Sequence, residues 1–280
     1  MASKGDTTRL NEFINLERYP IHDLGSPAGV ELIDRGRRMM AANTLCLFED
    51  FLRADTVALL RNEIAGLEEL AHKVDYPCTV YGWMNNTGFP EDHPRSRLLR
   101  RQCGVITTDQ LDAESHCLEL FRFNELTEFV RRLLGYETLY RSECPTLAIQ
   151  INTMNDGESF DWHFDTNDGV VSFTIQNADR GGAFEYAPLI RAEDDEHYDA
   201  VRDMLDAVST PIRAKTPPGT FSLFLGRRSL HRVAEVGPTT QSRQSLLLSY
   251  DRNPGMVFPE QTRERITSGS SEPYRGAGAG

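Results

Sequence analysis

Three side chains suited to holding a divalent metal recur at telling spacings. In Asp161-Trp162-His163-Phe164-Asp165, residues two apart on an extended chain project to one face, so His163 and Asp165 point together while Trp162 and Phe164 face the other way. His231 follows 66 residues beyond Asp165, after the turn-like Gly226-Arg227-Arg228-Ser229. Two imidazoles and one carboxylate on one side of a divalent ion leave three coordination positions open. Taken alone, His-x-Asp reads more simply as a half-buried histidine beside a surface acid. The distal histidine and the arginine after it shift that balance.

Arg243 lies 12 residues past His231 and opens the alternating run Arg243-Gln244-Ser245-Leu246-Leu247-Leu248-Ser249-Tyr250, which puts it on one face with Ser245. A guanidinium fork beside a hydroxyl suits bidentate capture of the far carboxylate of a dicarboxylic co-substrate. The plain alternative is a salt bridge to one of many acids. Asn152 projects with Gln150 and Ala148 opposite Leu147, Ile149 and Ile151, as the wet interior of a barrel requires. There it contacts co-substrate or substrate, or else bonds a neighbouring loop. Of Arg95, Arg97, Arg100 and Arg101, one is a candidate for a substrate carboxylate, and most are expected as surface charges. Trp162, facing away from the ligands, reads as core. His22, His72, His93, His116 and His197 have no partner at metal-ligand spacing.

The elements that must position these groups fall into two textures. From Asp55, apolar residues at Val57, Leu59, Leu60, Ile64, Leu67 and Leu70 follow a helical period. A second helix is expected from Ser115 to Leu134, with Gly135 capping its end. Between them, Tyr76 to Gln102 reads as a long irregular segment. From Thr146 the period becomes two, and strands are expected around Leu147–Asn152, Val170–Gln176, Thr220–Leu225 and Arg243–Tyr250. Ala192–Val208 reads as an acidic surface helix. The turns Asp156-Gly157, Arg180-Gly181-Gly182 and Pro217-Pro218-Gly219 between strands point to a β-sandwich or jelly roll.

With these residues in place, the sequence resembles the Fe(II)- and 2-oxoglutarate-dependent dioxygenases. The match runs from Thr146 to about Pro254 and includes His163, Asp165, His231, Arg243 and Ser245 in the family's order. The resemblance implies an α+β, mainly β fold: a double-stranded β-helix (a distorted, cupin-like jelly roll) with flanking N-terminal helices. It also implies Fe(II) held by His163, Asp165 and His231, with 2-oxoglutarate bound through Arg243 and O2 as oxidant. The segments Trp162-His163-Phe164-Asp165-Thr166, Gly181-Gly182-Ala183-Phe184-Glu185-Tyr186 and Gly226-Arg227-Arg228-Ser229-Leu230-His231-Arg232-Val233 look like a narrower branch, the standalone bacterial enzymes that hydroxylate or halogenate free amino acids. Halogenases of that branch carry a small residue where Asp165 stands, so hydroxylation is the implied outcome, with desaturation or cyclisation on the same ligands.

Composition bounds the rest. The 280 residues carry 30 Lys+Arg against 42 Asp+Glu, a net charge of −12 that argues against nucleic acid or anionic membrane as partner. A small molecule, an amino acid by the resemblance, is the expected partner. Five cysteines without Cys-x-x-Cys spacing suggest neither a disulfide framework nor a thiolate zinc site and fit a cytoplasmic setting. One catalytic domain is expected over 1–266, helical to about 145 and jelly-roll over about 146–255, followed by a loose tail at 267–280. Two other functions fit the same residues: a zinc hydrolase using the same ligands, and a non-catalytic jelly-roll binding protein.

Overall fold

The structure, a computed structural model, describes residues 4–82, 84–166, 170–269 and 271–273. In chain order its elements are α1 (Lys4–Phe13), α2 (Pro27–Asn43), β1 (Leu45–Phe48), α3 (Ala54–Leu67), β2 (His72–Cys78), β3 (Leu99–Thr107), α4 (His116–Arg122), α5 (Asn124–Leu134), β4 (Tyr140–Arg141) and β5 (Ile149–Met154). Then follow β6 (Ser159–His163), β7 (Val170–Gln176), β8 (Phe184–Ala187), α6 (Tyr198–Leu205), β9 (Ile212–Ala214), β10 (Phe221–Phe224), β11 (Leu230–Val233), β12 (Arg243–Leu248), β13 (Tyr250–Asp251) and α7 (Glu260–Thr267).

Eleven strands form one curled antiparallel sheet in the order β1-β10-β7-β12-β5-β3-β6-β11-β8-β9, with β2 added on β3. The curl turns on β3. Its far half, Gly104–Thr107, pairs with β5, while Arg101 and Gln102 pair with Phe160 and Ser159 of β6. One strand thereby joins the two halves of a double-stranded β-helix.

Strand alternation sorts the side chains. Ile149 and Ile151 of β5, Val171 and Phe173 of β7, and Leu246 and Leu248 of β12 pack outward into the main apolar core beneath the helices. Phe51 is its hub, fully buried, with ring centroids of Phe221, Phe129 and Phe173 at 4.9, 5.7 and 6.1 Å. The opposite faces carry Gln150 and Asn152, Ser172 and Thr174, and Ser245, all lining a cavity inside the curl. Registration aligns them: Ser245 sits between Asn152 of β5 and Thr174 of β7.

Helix ends follow local chemistry. Ser26 caps α2 by accepting the Gly29 amide at 3.1 Å, with Pro27 at the first helical position. Gly135 closes α5 at φ +70°, its amide reaching the carbonyls of Arg131 and Arg132.

Several expectations need correction. The helix expected over Ser115–Leu134 is two, because Phe123 takes an extended conformation (ψ 118°) and starts α5 anew. In α3 the buried stripe is Thr56, Leu60 and Ile64, and Leu59 faces solvent. Tyr76–Gln102 is irregular only between strands, since Val74 and Tyr76 alternate with the polar Lys73 and Asp75, and His72–Cys78 of β2 pairs with residues 99–105 of β3. The sheet therefore draws β1, β2 and β3 from the part of the chain expected to be helical. The period of two starts at Ile149, so Ala148 packs in the core instead of sharing a face with Asn152, and Leu147 lines the cavity. The acidic segment 192–208 holds only the short α6, which buries Val201 and Met204 against Trp162 and Phe164. At the C-terminal end, Thr267 closes α7, and residues 268, 269 and 271–273 carry no helix or strand. The remainder of the expected tail, 270 and 274–280, lies outside the described residues.

Candidate active site

His163 ends β6 and His231 stands in β11, and the two are direct cross-strand partners. Their ring centroids lie 4.0 Å apart. Asp165 follows β6 by two residues, its backbone amide donating to the Gly226 carbonyl at 3.1 Å. Asp165 Oδ1 is 3.5 Å from His231 Nε2 and 3.9 Å from His163 Nε2. Ligand atoms of all three lie within 4.8 Å of one another, and no other group of three or more His, Cys, Asp or Glu converges in this way among the described residues.

The histidines are oriented from behind. His163 Nδ1 lies 2.8 Å from the Asp161 carbonyl oxygen, and His231 Nδ1 lies 3.0 Å from that of Ser229. A carbonyl only accepts, so each Nδ1 carries a proton, which leaves Nε2 as the ring atom facing Asp165. Burial, reinforced by the neighbouring His231, holds His163 well below the ordinary imidazole range, which keeps it neutral. Burial alone would raise the Asp165 carboxyl, but the pull of His231 outweighs it and holds the group below the usual carboxylate range. Two imidazole Nε2 atoms and one carboxylate are a donor set that fits a divalent ion such as Fe(II).

The strand-to-turn path explains the convergence. Trp162 and Phe164, flanking His163, are buried with Tyr81, Val201 and Met204. Arg191 stacks on Phe164 at 4.0 Å, and Arg232 on Trp162 at 4.5 Å. These contacts fix the strand's outer face and leave His163 to the cavity. Trp162 is core, as expected.

The same cavity, about 240 Å³, is lined by His163, Asp165, His231, Asn152, Arg243 and Ser245, so all six residues singled out from sequence reach it. Arg243 donates from Nε to the Gly182 carbonyl at 2.9 Å and from Nη1 to Ser245 Oγ at 3.3 Å. Gly182 permits this approach: it sits at φ +63°, and a Cβ there would come within 2.9 Å of Arg243 Cδ. No carboxylate of the described residues pairs with Arg243, and burial pushes its pKa down to about 10. Asn152 Oδ1 is likewise buried without a hydrogen-bond partner. A desolvated guanidinium without counter-charge fits a bound dicarboxylate such as 2-oxoglutarate, whereas the acceptor Oδ1 of Asn152 calls for a donor. Arg232, next to His231 in β11, is already engaged by Glu185 at 2.8 Å.

Sequence reasoning missed two contributors to this cavity. Helix α7 presents Thr262 and Ile266, and Phe258 precedes it. Leu45 and Leu47 of β1 close another side. Neither has a motif. The short apolar run Leu45-Cys46-Leu47-Phe48 was the available signal for β1.

A curled antiparallel sheet of this order, with helices packed on one side, is a double-stranded β-helix. Solved structures share it. A 2OG-Fe(II) oxygenase family oxidoreductase from Burkholderia pseudomallei superimposes with a TM-score of 0.52 at 16% identity, over 80% of this chain and 92% of that one. The epimerase SnoN, in complex with Fe3+, alpha ketoglutarate and nogalamycin RO, gives 0.54 at 12% identity, over 79% and 84%. EctD from S. alaskensis, in its apoform, gives 0.50 at 18%, over 87% and 86%. No family model matches the sequence, and no curated protein does.

Proposed function

We propose that this protein is an Fe(II)- and 2-oxoglutarate-dependent oxygenase that oxidises an unactivated C–H bond of a small molecule, a free amino acid or a derivative, with hydroxylation as the default outcome. Residues 1–266 are taken as its catalytic unit. The observation that carries the reading is the convergence of His163 Nε2, His231 Nε2 and Asp165 within 4.8 Å, in one cavity with the unpaired Arg243. The solved structures with this fold, among them SnoN bound to Fe3+ and alpha ketoglutarate, support the same class.

In this reading His163, Asp165 and His231 hold Fe(II), while Arg243, Ser245 and Asn152 hold 2-oxoglutarate. Iron and co-substrate together supply the oxidising power: O2 gives one oxygen atom to succinate as CO2 leaves and the other to the product. The chain supplies orientation. The carbonyls of Asp161 and Ser229 keep both Nδ1 protons in place, so the Nε2 lone pairs stay directed at one point. Arg243 and Ser245 fix the far end of the co-substrate, and the strand spacing from them to His163 and His231 sets where its reactive end falls. Leu147, Val233, Phe258 and Ile266 give the cavity apolar walls that limit water.

The test is a screen of free amino acids with Fe(II), 2-oxoglutarate and O2 for succinate formation, followed by mass analysis. Gain of one oxygen supports hydroxylation, and loss of two hydrogens supports desaturation or cyclisation. Failure of every member to raise succinate above the substrate-free rate would reject the amino-acid reading.

A further inference from the structure

The cavity holds a second cation that neither the ligand set nor the co-substrate uses. Of the four arginines between residues 95 and 101, three are satisfied: Arg95 pairs with Glu196, Arg97 with Asp206 and Arg100 with Asp75. Arg101 differs. It lines the cavity, forms no ion pair among the described residues, and keeps its Nε shut off from solvent without a hydrogen-bond partner. Its guanidinium makes a long hydrogen bond, 3.4 Å from Nη1 to the Tyr76 hydroxyl, and its other polar neighbour is the Cys103 thiol.

Its placement is built in by the sheet. Arg101 and Phe160 are cross-strand partners on β3 and β6, and the guanidinium lies 4.0 Å from the Phe160 ring centroid. The His163 imidazole is stacked on that same ring at 3.9 Å and 2°. A single phenyl ring therefore ties the free guanidinium to one of the proposed metal ligands. Whatever Arg101 holds is held beside the reacting centre.

Charge balance states what that is. The ion and the 2-oxoglutarate dianion cancel, and Asp165, the one acid among the described lining residues, offsets Arg243. The charge of Arg101 is left over. A guanidinium partly withdrawn from water without a counter-charge is costly, and a carboxylate meets it bidentately. The walls around the cavity at Leu147, Val233, Phe258 and Ile266 are apolar.

Resting on the oxygenase reading, we propose that Arg101, seated on Phe160, binds the carboxylate of the primary substrate, and that this substrate is an amino-acid derivative without a charged amino group, a monocarboxylic acid whose remaining chain is apolar.

The test uses full-length protein loaded anaerobically with Fe(II) and saturated with 2-oxoglutarate, so that Arg243 is occupied. Calorimetric titration compares 3-methylbutanoate with 3-methylbutanamide, which differ in charge but hardly in shape. The carboxylate is expected to bind at least tenfold more tightly, and Arg101→Gln to erase that preference. Arg101→Lys, which keeps the charge without the fork, should retain part of it, and thermal unfolding of both variants checks that they fold. Equal affinity for acid and amide in the wild type, including no binding of either, or an undiminished preference in a folded Arg101→Gln, would overturn the proposal. The 2-oxoglutarate titration that precedes each run separates the two claims: no 2-oxoglutarate binding sinks the oxygenase reading, whereas normal 2-oxoglutarate binding without acid preference sinks only the role of Arg101.

Discussion

Gly226 and Asp165 are in such close contact that a Cβ on Gly226 would fall 1.9 Å from Asp165 Oδ2 and 2.6 Å from its Cγ. The glycine carbonyl also accepts the Asp165 amide. The turn leading into β11 thus presses against the carboxylate while fixing its backbone, and it leads on to His231 five residues later. Two of the three proposed ligands are set by one short segment.

Gly226→Ala is therefore expected to displace the Asp165 carboxylate and weaken Fe(II) binding by about 10- to 100-fold, the usual cost of disturbing support behind a ligand. Anaerobic metal titration measures it, with circular dichroism confirming the fold. Unchanged affinity would mean that the Asp165 side chain is not a ligand.

Arg243→Met should separate a co-substrate anchor from a structural cation. Losing one partner of a buried charged contact costs about 2–5 kcal/mol, so the 2-oxoglutarate requirement should rise by roughly two orders of magnitude. The ligand-free protein should melt no lower than wild type, because a desolvated unpaired charge is removed. Thermal melting with and without 2-oxoglutarate reads both. A large loss of stability in the ligand-free variant would point to a structural role.

Phe51→Ala tests the hub between sheet and helices. Deleting a fully buried phenylalanine costs about 3–5 kcal/mol, and Phe51→Leu should cost clearly less. Urea unfolding gives both values. A loss under about 1 kcal/mol would show that the core relaxes around the site.

Glu128 supplies a pH-dependent term. Hydrogen bonds from Arg131, then Arg132, outweigh burial and lower its pKa to about 2. A carboxyl depressed on folding contributes stability above its unfolded pKa and loses it as pH falls through the folded value. The difference between wild type and Glu128→Gln should hold from neutral pH to about 4.5 and shrink toward pH 2. Its side chain is 39% exposed, so solvent screening keeps the effect under about 1 kcal/mol. A difference that grows on acidification would contradict the assignment.

Much of the site was legible because strand periodicity is local. His163 and Asp165 two apart, and Arg243 and Ser245 two apart, project together whatever the topology, and the polar face of Gln150 and Asn152 follows from the same rule. Arg101 was not separable from Arg95, Arg97 and Arg100, since only the pairing of β3 with β6 shows which of the four turns inward and which acids neutralise the rest. The break at Phe123 was hidden for a different reason. Its apolar side chain continues the helical stripe while its backbone leaves the helix. The cavity walls from α7 and β1 depend on contacts far apart in sequence, which periodicity does not carry.

The central claim is that one Fe(II) is held jointly by His163, Asp165 and His231. Anaerobic Fe(II) titration of wild type, His163→Ala, Asp165→Ala and His231→Ala tests it most directly. The account predicts one ion per chain in the wild type and at least tenfold weaker binding in each variant. One ion bound with wild-type affinity in any folded variant would contradict it.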